Sequence, residues 1–143
     1  MGNSQTKFSN KSTALEAADN VDLNGKVCIV TGCNAGIGKE TVRVLALRNA
    51  KVYMLCRTLK KANDARDDII NEIKKLKKDF DESKLIVMTM DLSSLLSVRR
   101  CAGKYVQLNE PIDYLILNAG IMALPKFTPS TEGYELQFAT SFV

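Results

Sequence analysis

The chain has 143 residues, enough for one domain that buries roughly two-thirds of the surface its unfolded form exposes. Apolar residues make up 45% and charged residues 25%, and 20 basic against 16 acidic side chains leave a net charge of +4. That balance excludes a strongly basic nucleic-acid binder: the "KK" pairs between Lys60 and Lys78 alternate with Asp and Glu, as on a solvated helix face, with no aromatics between them.

Four cysteines (Cys28, Cys33, Cys56 and Cys101) form no C-x-x-C pair, and no histidine is present to complete a typical zinc set. Buried free thiols fit a reduced, cytoplasmic setting. Uninterrupted apolar runs stop at about four residues, far short of the ~20 of a membrane-spanning helix. The polar first residues do not read as a secretory signal.

Residues 1–21 read as a polar leader. "MGNSQT" fits the acceptor pattern for N-myristoylation at Gly2, with Thr6 at the key position. The alternative is a plain leader without lipid. A single myristoyl chain would make peripheral, reversible membrane contact. Further on, "TALE" is a capping-box pattern for a short helical turn.

From Asp22 the pattern changes. "GKVCIVTG" is a short apolar run between glycines and predicts a buried strand. "IGKETVRVLALRNA" places Val42, Leu45, Ala46 and Ala50 at helical spacing, and "KVYMLCR" predicts a second strand. Over 60–80, Ile69, Ile70, Ile73, Leu76 and Phe80 mark one helix face. "KLIVMTMD" predicts a third strand. Ser93 or Ser94 can cap a helix carrying Leu95, Val98, Ala102, Tyr105 and Val106. "IDYLILNAG" predicts a fourth strand, and another helix is expected to begin after Pro129. Alternating strands and helices, with strands apolar on both faces, predict an α/β fold. It is a Rossmann-type doubly wound parallel sheet, ending after about four strands in the order 3-2-1-4.

"TGCNAGIGKE" lies between the first strand and the first long helix. In such a place Gly32 permits a tight turn, Gly36 lets the backbone come close to a pyrophosphate, and Gly38 permits close helix–strand packing. The helix start offers free N–H groups and the positive end of its dipole to phosphate. The alternative is a glycine-rich turn without a ligand. An NAD site wants an acidic residue at the end of the second strand; Cys56-Arg57 stand there instead. A guanidinium suits a 2′-phosphate and favours NADP(H); the alternative is that Arg57 is an ordinary surface arginine. Asp91 can serve as part of the following helix cap, and Asn118 and Gly120 as a strand-to-loop turn.

The T-G-x-x-x-G-x-G spacing resembles the signature of the short-chain dehydrogenase/reductase family. Asp91-Leu92 resembles the family's adenine-pocket pair, and Asn118-Ala119-Gly120 its N-A-G motif. "YMLCRT" and "TEGYELQFAT" are similar to the retinol-dehydrogenase-like and WW-domain-containing-oxidoreductase-like branch. The resemblance covers 22–143. It implies an NADP(H) site built from Gly32, Asn34, Gly36, Ile37, Gly38, Arg57, Asp91, Leu92, Asn118, Ala119 and Gly120. It also implies hydride transfer between NADPH and a small carbonyl or alcohol substrate; whether the chain forms a homo-oligomer stays open, because the family's usual interface helices are incomplete or absent.

The family works with a Tyr, whose pKa near 10 must be lowered by a neighbouring Lys. No Tyr-x-x-x-Lys occurs here: Arg57, Asn109, Asn118 and Phe138 stand four residues after the four tyrosines. The family's supporting Asn would fall at Ser141, which cannot replace the catalytic Ser because it belongs to a different motif. The expectation is therefore the NADP(H)-binding part of an oxidoreductase, cut short and inactive as this chain. The alternatives are a non-catalytic nucleotide-binding or protein-interaction module, or a poorly folded remnant. Without a fifth strand, "YLILN" is expected to be a hydrophobic sheet edge and the chain to be marginally stable.

Overall fold

The computed structural model describes residues 8–142; Gly2, the expected lipid acceptor, lies outside them. The elements run α1 (Ala14–Ala17), β1 (Val27–Thr31), α2 (Gly36–Leu47), β2 (Lys51–Cys56), α3 (Leu59–Leu76), β3 (Leu85–Thr89), α4 (Leu95–Val106), β4 (Tyr114–Ile116) and α5 (Leu136–Phe142). The four strands are parallel and ordered β3-β2-β1-β4, as the alternation predicts.

Each strand of the sheet centre buries both its faces because successive side chains point to opposite sides. Cys28, Val30, Val52, Met54, Cys56 and Leu85 pack on one side with Val42 and Ala46 of α2 and Ile69, Ile70 and Ile73 of α3. Val27, Ile29, Tyr53 and Leu55 pack on the other with Cys101 and Tyr105 of α4. Helices thus cover both faces, α4 alone covering the second among the long ones.

Three boundaries differ from the periodicity. α2 stops at Leu47 because Asn49 takes a left-handed conformation (φ 75°) that closes the helix end. α3 stops at Leu76, which is exposed, and the chain then turns so that Phe80 reaches the core without being helical. After Pro129 the chain first bends back on itself, Ser130 N–H donating to the Tyr134 carbonyl at 2.7 Å. α5 begins only at Leu136, where the Glu135 carboxylate accepts from the N–H groups of Gln137 and Phe138. The "TALE" capping box forms as read, Thr13 and Glu16 each accepting from the other's N–H.

β4 is short, and Tyr114, Leu115 and Leu117 are exposed along this sheet edge. Its register is set by charge: the Asp113 carboxylate accepts from Val27 N–H at 2.9 Å and from Lys26 Nζ at 2.8 Å. The loop before it is held by Tyr105, whose hydroxyl donates to the Pro111 carbonyl at 3.0 Å and whose ring meets Tyr53 edge-on at 5.0 Å. Glu110 in that loop accepts from Lys51 Nζ and from the Tyr53 hydroxyl at 3.0 Å.

The Lys51 ammonium, and after it the Tyr53 hydroxyl, hold the Glu110 carboxyl below its ordinary pKa against the opposing effect of burial. A depressed carboxylate contributes stability that is present above its unfolded value and lost as pH falls through the folded one. The urea midpoint of the wild type is therefore expected to exceed that of Glu110→Gln near neutrality, and the gap to close as pH falls from about 5 to about 3. A gap independent of pH would refute the ion pair's role.

Candidate functional site: a cleft at the carboxyl end of the sheet

The carboxyl ends of β1, β2, β3 and β4 and the amino end of α2 border a cleft of about 440 Å³. The sheet order reverses between β1 and β4, the place where an open α/β sheet leaves a crevice. Of the eleven residues expected in a dinucleotide site, ten line it: Gly32, Asn34, Ile37, Gly38, Arg57, Asp91, Leu92, Asn118, Ala119 and Gly120. Gly36 is the first residue of α2, outside the lining but at the cleft's helix end.

The glycines have three different physical reasons. Gly32 has φ 63°, and a Cβ there would lie 2.7 Å from the Ala119 Cα. Gly36 has φ 56° but open space around it, so its need is conformational. Gly38 has an ordinary φ, yet a Cβ would lie 2.6 Å from the Gly32 carbonyl oxygen and would collide with the Asn118 side chain. Gly38 therefore packs against the two loops rather than only against the strand.

Asn118 explains that closeness. Its side-chain amide donates to the carbonyls of Thr31 at 3.0 Å and Gly32 at 3.1 Å, while Ala119 N–H donates to the buried Thr31 hydroxyl at 3.0 Å. The N-A-G segment after β4 thus clamps the glycine turn after β1. Spacing alone suggests two separate contacts to a ligand; the fold makes one a brace for the other.

At the amino end of α2, Ala35 occupies the cap position and supplies no side-chain acceptor. α4 differs, its Ser94 hydroxyl accepting from Ser97 N–H. The first-turn N–H groups of α2 point out of the helix without a capping side chain, which suits an anion. Arg57 follows β2, lines the same cleft, is exposed, and makes no ion pair among the described residues. No carboxylate stands beside it at the strand end; the neighbour is Cys56. Asp91 Oδ1 accepts from the N–H and hydroxyl of Ser93 at 2.9 and 2.7 Å, so it shapes the turn into α4 while lining the cleft.

Sequence reading missed several walls of the cleft: Leu55 and Cys56, Met90, Ser93, and Leu136 and Thr140 from α5. The strand residues had a signal, since they end apolar runs at the carboxyl edge where such sheets bind ligands. Leu136 and Thr140 had none; only the fold-back of 128–135 brings α5 over the site. Ser141 lines a neighbouring apolar groove between α4, β4 and α5 and not the cleft. Among the described residues no helix is long and apolar enough to cross a membrane, and no group of three or more His, Cys, Asp or Glu could hold a metal ion.

The fold and cleft have known counterparts. The short chain dehydrogenase family model matches residues 26–141. Retinol dehydrogenase 12 of Mus musculus is 38% identical over 122 residues, covering 85% of this chain and 36% of that protein. WW domain-containing oxidoreductase of Drosophila melanogaster is 38% identical over 135 residues, covering 94% of this chain and 32% of its own length. The chain therefore spans about a third of the length of these curated relatives. Among solved structures, an uncharacterised protein from Mycobacterium paratuberculosis superposes with a TM-score of 0.68 at 32% identity, over 88% of this chain and 41% of that one. The C-domain of a bacterial malonyl-CoA reductase, solved with NADP, superposes with a TM-score of 0.62 at 32% identity, over 71% of this chain and 15% of that one. With the family model spanning nearly all of the sheet and the glycine turn, this chain belongs to the short-chain dehydrogenase/reductase family.

Proposed function

We propose that this chain is the NADP(H)-binding part of a short-chain oxidoreductase that moves hydride between NADPH and a small carbonyl or alcohol substrate. The observation that carries the reading is the uncapped start of α2, set behind a turn in which Gly32 and Gly38 leave no room for a Cβ, with Arg57 lining the same cleft. The N–H groups at the α2 start would receive the pyrophosphate. Arg57 would grip a 2′-phosphate, and Asp91 and Leu92 would border the adenine. Asn118 keeps the glycine turn in place for all of these. The bound cofactor would supply the hydride. The NADP-bound structure among the similar folds supports this choice of cofactor.

The catalytic half is not carried by these residues: no Tyr-x-x-x-Lys occurs among the 143. The chain by itself is therefore expected to bind NADPH without turning over a carbonyl substrate. Titration with NADPH, followed by its fluorescence, together with consumption of NADPH in the presence of retinal, tests both statements. Absence of binding refutes the site, and turnover refutes the division of labour.

The second reading, a non-catalytic nucleotide-binding or interaction module, is favoured by the exposed apolar edge of Tyr114, Leu115 and Leu117. Under either reading we place the chain in the cytoplasm, with reversible membrane contact through myristoylated Gly2. Replacing Gly2 by Ala is expected to shift it from the membrane to the soluble fraction. An unchanged distribution on cell fractionation would remove the lipid from the account.

A further inference from the structure

Cys33 and Cys56 meet at the carboxyl ends of β1 and β2. Gly32 N–H donates to the Leu55 carbonyl at 2.9 Å, which carries the pairing of the two chains one residue beyond β1 and sets Cys33 beside Cys56. Their sulfur atoms are 3.6 Å apart. Both thiols are free and buried, Cys33 at 0% and Cys56 at 3% exposure, within one core cluster.

The two sulfurs differ in their surroundings. Cys33 Sγ has the Val30 carbonyl oxygen at 3.4 Å as well as the Cys56 sulfur, so it is placed to keep its proton. Cys56 has the Cys33 thiol beside it, either sulfur being able to donate, and the backbone N–H groups of Cys33 and Asn34 face it too. These hold the Cys56 thiol below its usual pKa against burial, while the contact with Cys56, and burial with it, push Cys33 up. A thiolate beside a protonated thiol is the arrangement of an attacking and a resolving cysteine. Cys56 is also among the residues that line the cleft, the side from which a small oxidant would approach it. Cys28 has no such setting: burial raises its thiol to about 11.

We propose that Cys33 and Cys56 are a redox-active pair that closes to an intramolecular disulfide when a hydroperoxide enters the cleft, and that closure weakens dinucleotide binding. The second half rests on the cofactor reading above. In the first step the Cys56 thiolate attacks a peroxide oxygen. The S–O bond forms, the O–O bond breaks, and the leaving hydroxide takes up the proton that the Cys56 thiol had given to the solvent, becoming water. In the second the Cys33 sulfur attacks the Cys56 sulfenic sulfur. The S–S bond forms, the S–O bond breaks, and the hydroxyl leaves as water with the Cys33 proton. The two sulfurs are oxidised by two electrons and the peroxide is reduced to water. Closing the bond draws the sulfurs together by about 1.5 Å. Cys33 lies within the glycine turn, between Gly32 and Asn34, so the N–H groups of that turn are re-aimed.

The test is to treat the reduced 143-residue chain with equimolar hydrogen peroxide and read the intact mass, the cross-linked peptides and NADPH binding. A loss of about 2 Da is expected, with a bond between Cys33 and Cys56 and a Kd for NADPH raised roughly tenfold or more, restored by dithiothreitol. Cys28 and Cys33 share one tryptic peptide, so the cross-link is also read in Cys28→Ser, where it must persist, and in Cys33→Ser, where it must vanish. No 2-Da loss in the wild type, or a cross-link that survives Cys33→Ser, overturns the pair. A disulfide that leaves NADPH binding unchanged overturns its coupling to the cleft. Failure of the reduced chain to bind NADPH at all counts against the cofactor reading, while the mass still decides the pair.

Discussion

Replacing Arg57 by Asp is expected to weaken NADPH binding by about 10- to 100-fold and to weaken NADH binding far less. The size follows from the hydrogen bonds a guanidinium makes to a phosphate, each worth about 1.5–3 kcal/mol when one partner is charged, at about 1.4 kcal/mol per factor of ten. The acid also places a negative charge where the 2′-phosphate would lie and gives an NADH ribose a hydroxyl acceptor. Arg57 is exposed and unpaired among the described residues, so the fold has little to lose by the change. Fluorescence titrations with NADPH and NADH, alongside a thermal melt, read the discrimination and the stability separately. Equal losses for the two cofactors at unchanged melting temperature would sink the assignment of Arg57 to the 2′-phosphate.

Gly32→Ala is expected to destabilise the chain by about 3 kcal/mol or more, and Gly36→Ala by about 1 kcal/mol. Both residues have positive φ, so a Cβ strains both. Only at Gly32 does the new atom also meet backbone, 2.7 Å from the Ala119 Cα, where no flexible side chain can give way. The clamp from Asn118 and Ala119 has to open before the turn can relax, so the N-A-G loop is disturbed together with the glycine turn. Gly36 has open space, and its substitution should instead act on NADPH affinity, where the backbone approaches the phosphates. Urea melts and NADPH titrations of the two variants check the split. Similar stability losses in both would show that the contact with Ala119 carries no weight.

Much of this was legible in the chain. The alternation of apolar strands with 3.6-period helices predicts the parallel sheet and its order, because strands buried on both faces require helices on both sides. The cleft residues were legible for the same reason: in such a sheet the residues just after each strand share one edge, so Gly32, Arg57, Asp91 and Asn118 had to meet. Helix ends were harder. Nothing in the periodicity around Leu76 and Phe80 distinguishes a helix that continues from a turn that still buries its phenylalanine. Asn49 ends α2 through a backbone conformation that many asparagines do not adopt.

The sequence by itself determined the family, the sheet and the place of the cleft, since these depend on hydrophobic period and on residues close in the chain. Only the tertiary structure decided what braces the cleft. The bond from Asn118 to the Thr31 and Gly32 carbonyls, the exclusion of a Cβ at Gly38, and the 3.6 Å contact of Cys33 with Cys56 join residues far apart in sequence. No local pattern encodes such contacts. They arise when parallel pairing of β1 with β2 and β4 brings three strand ends within bonding distance.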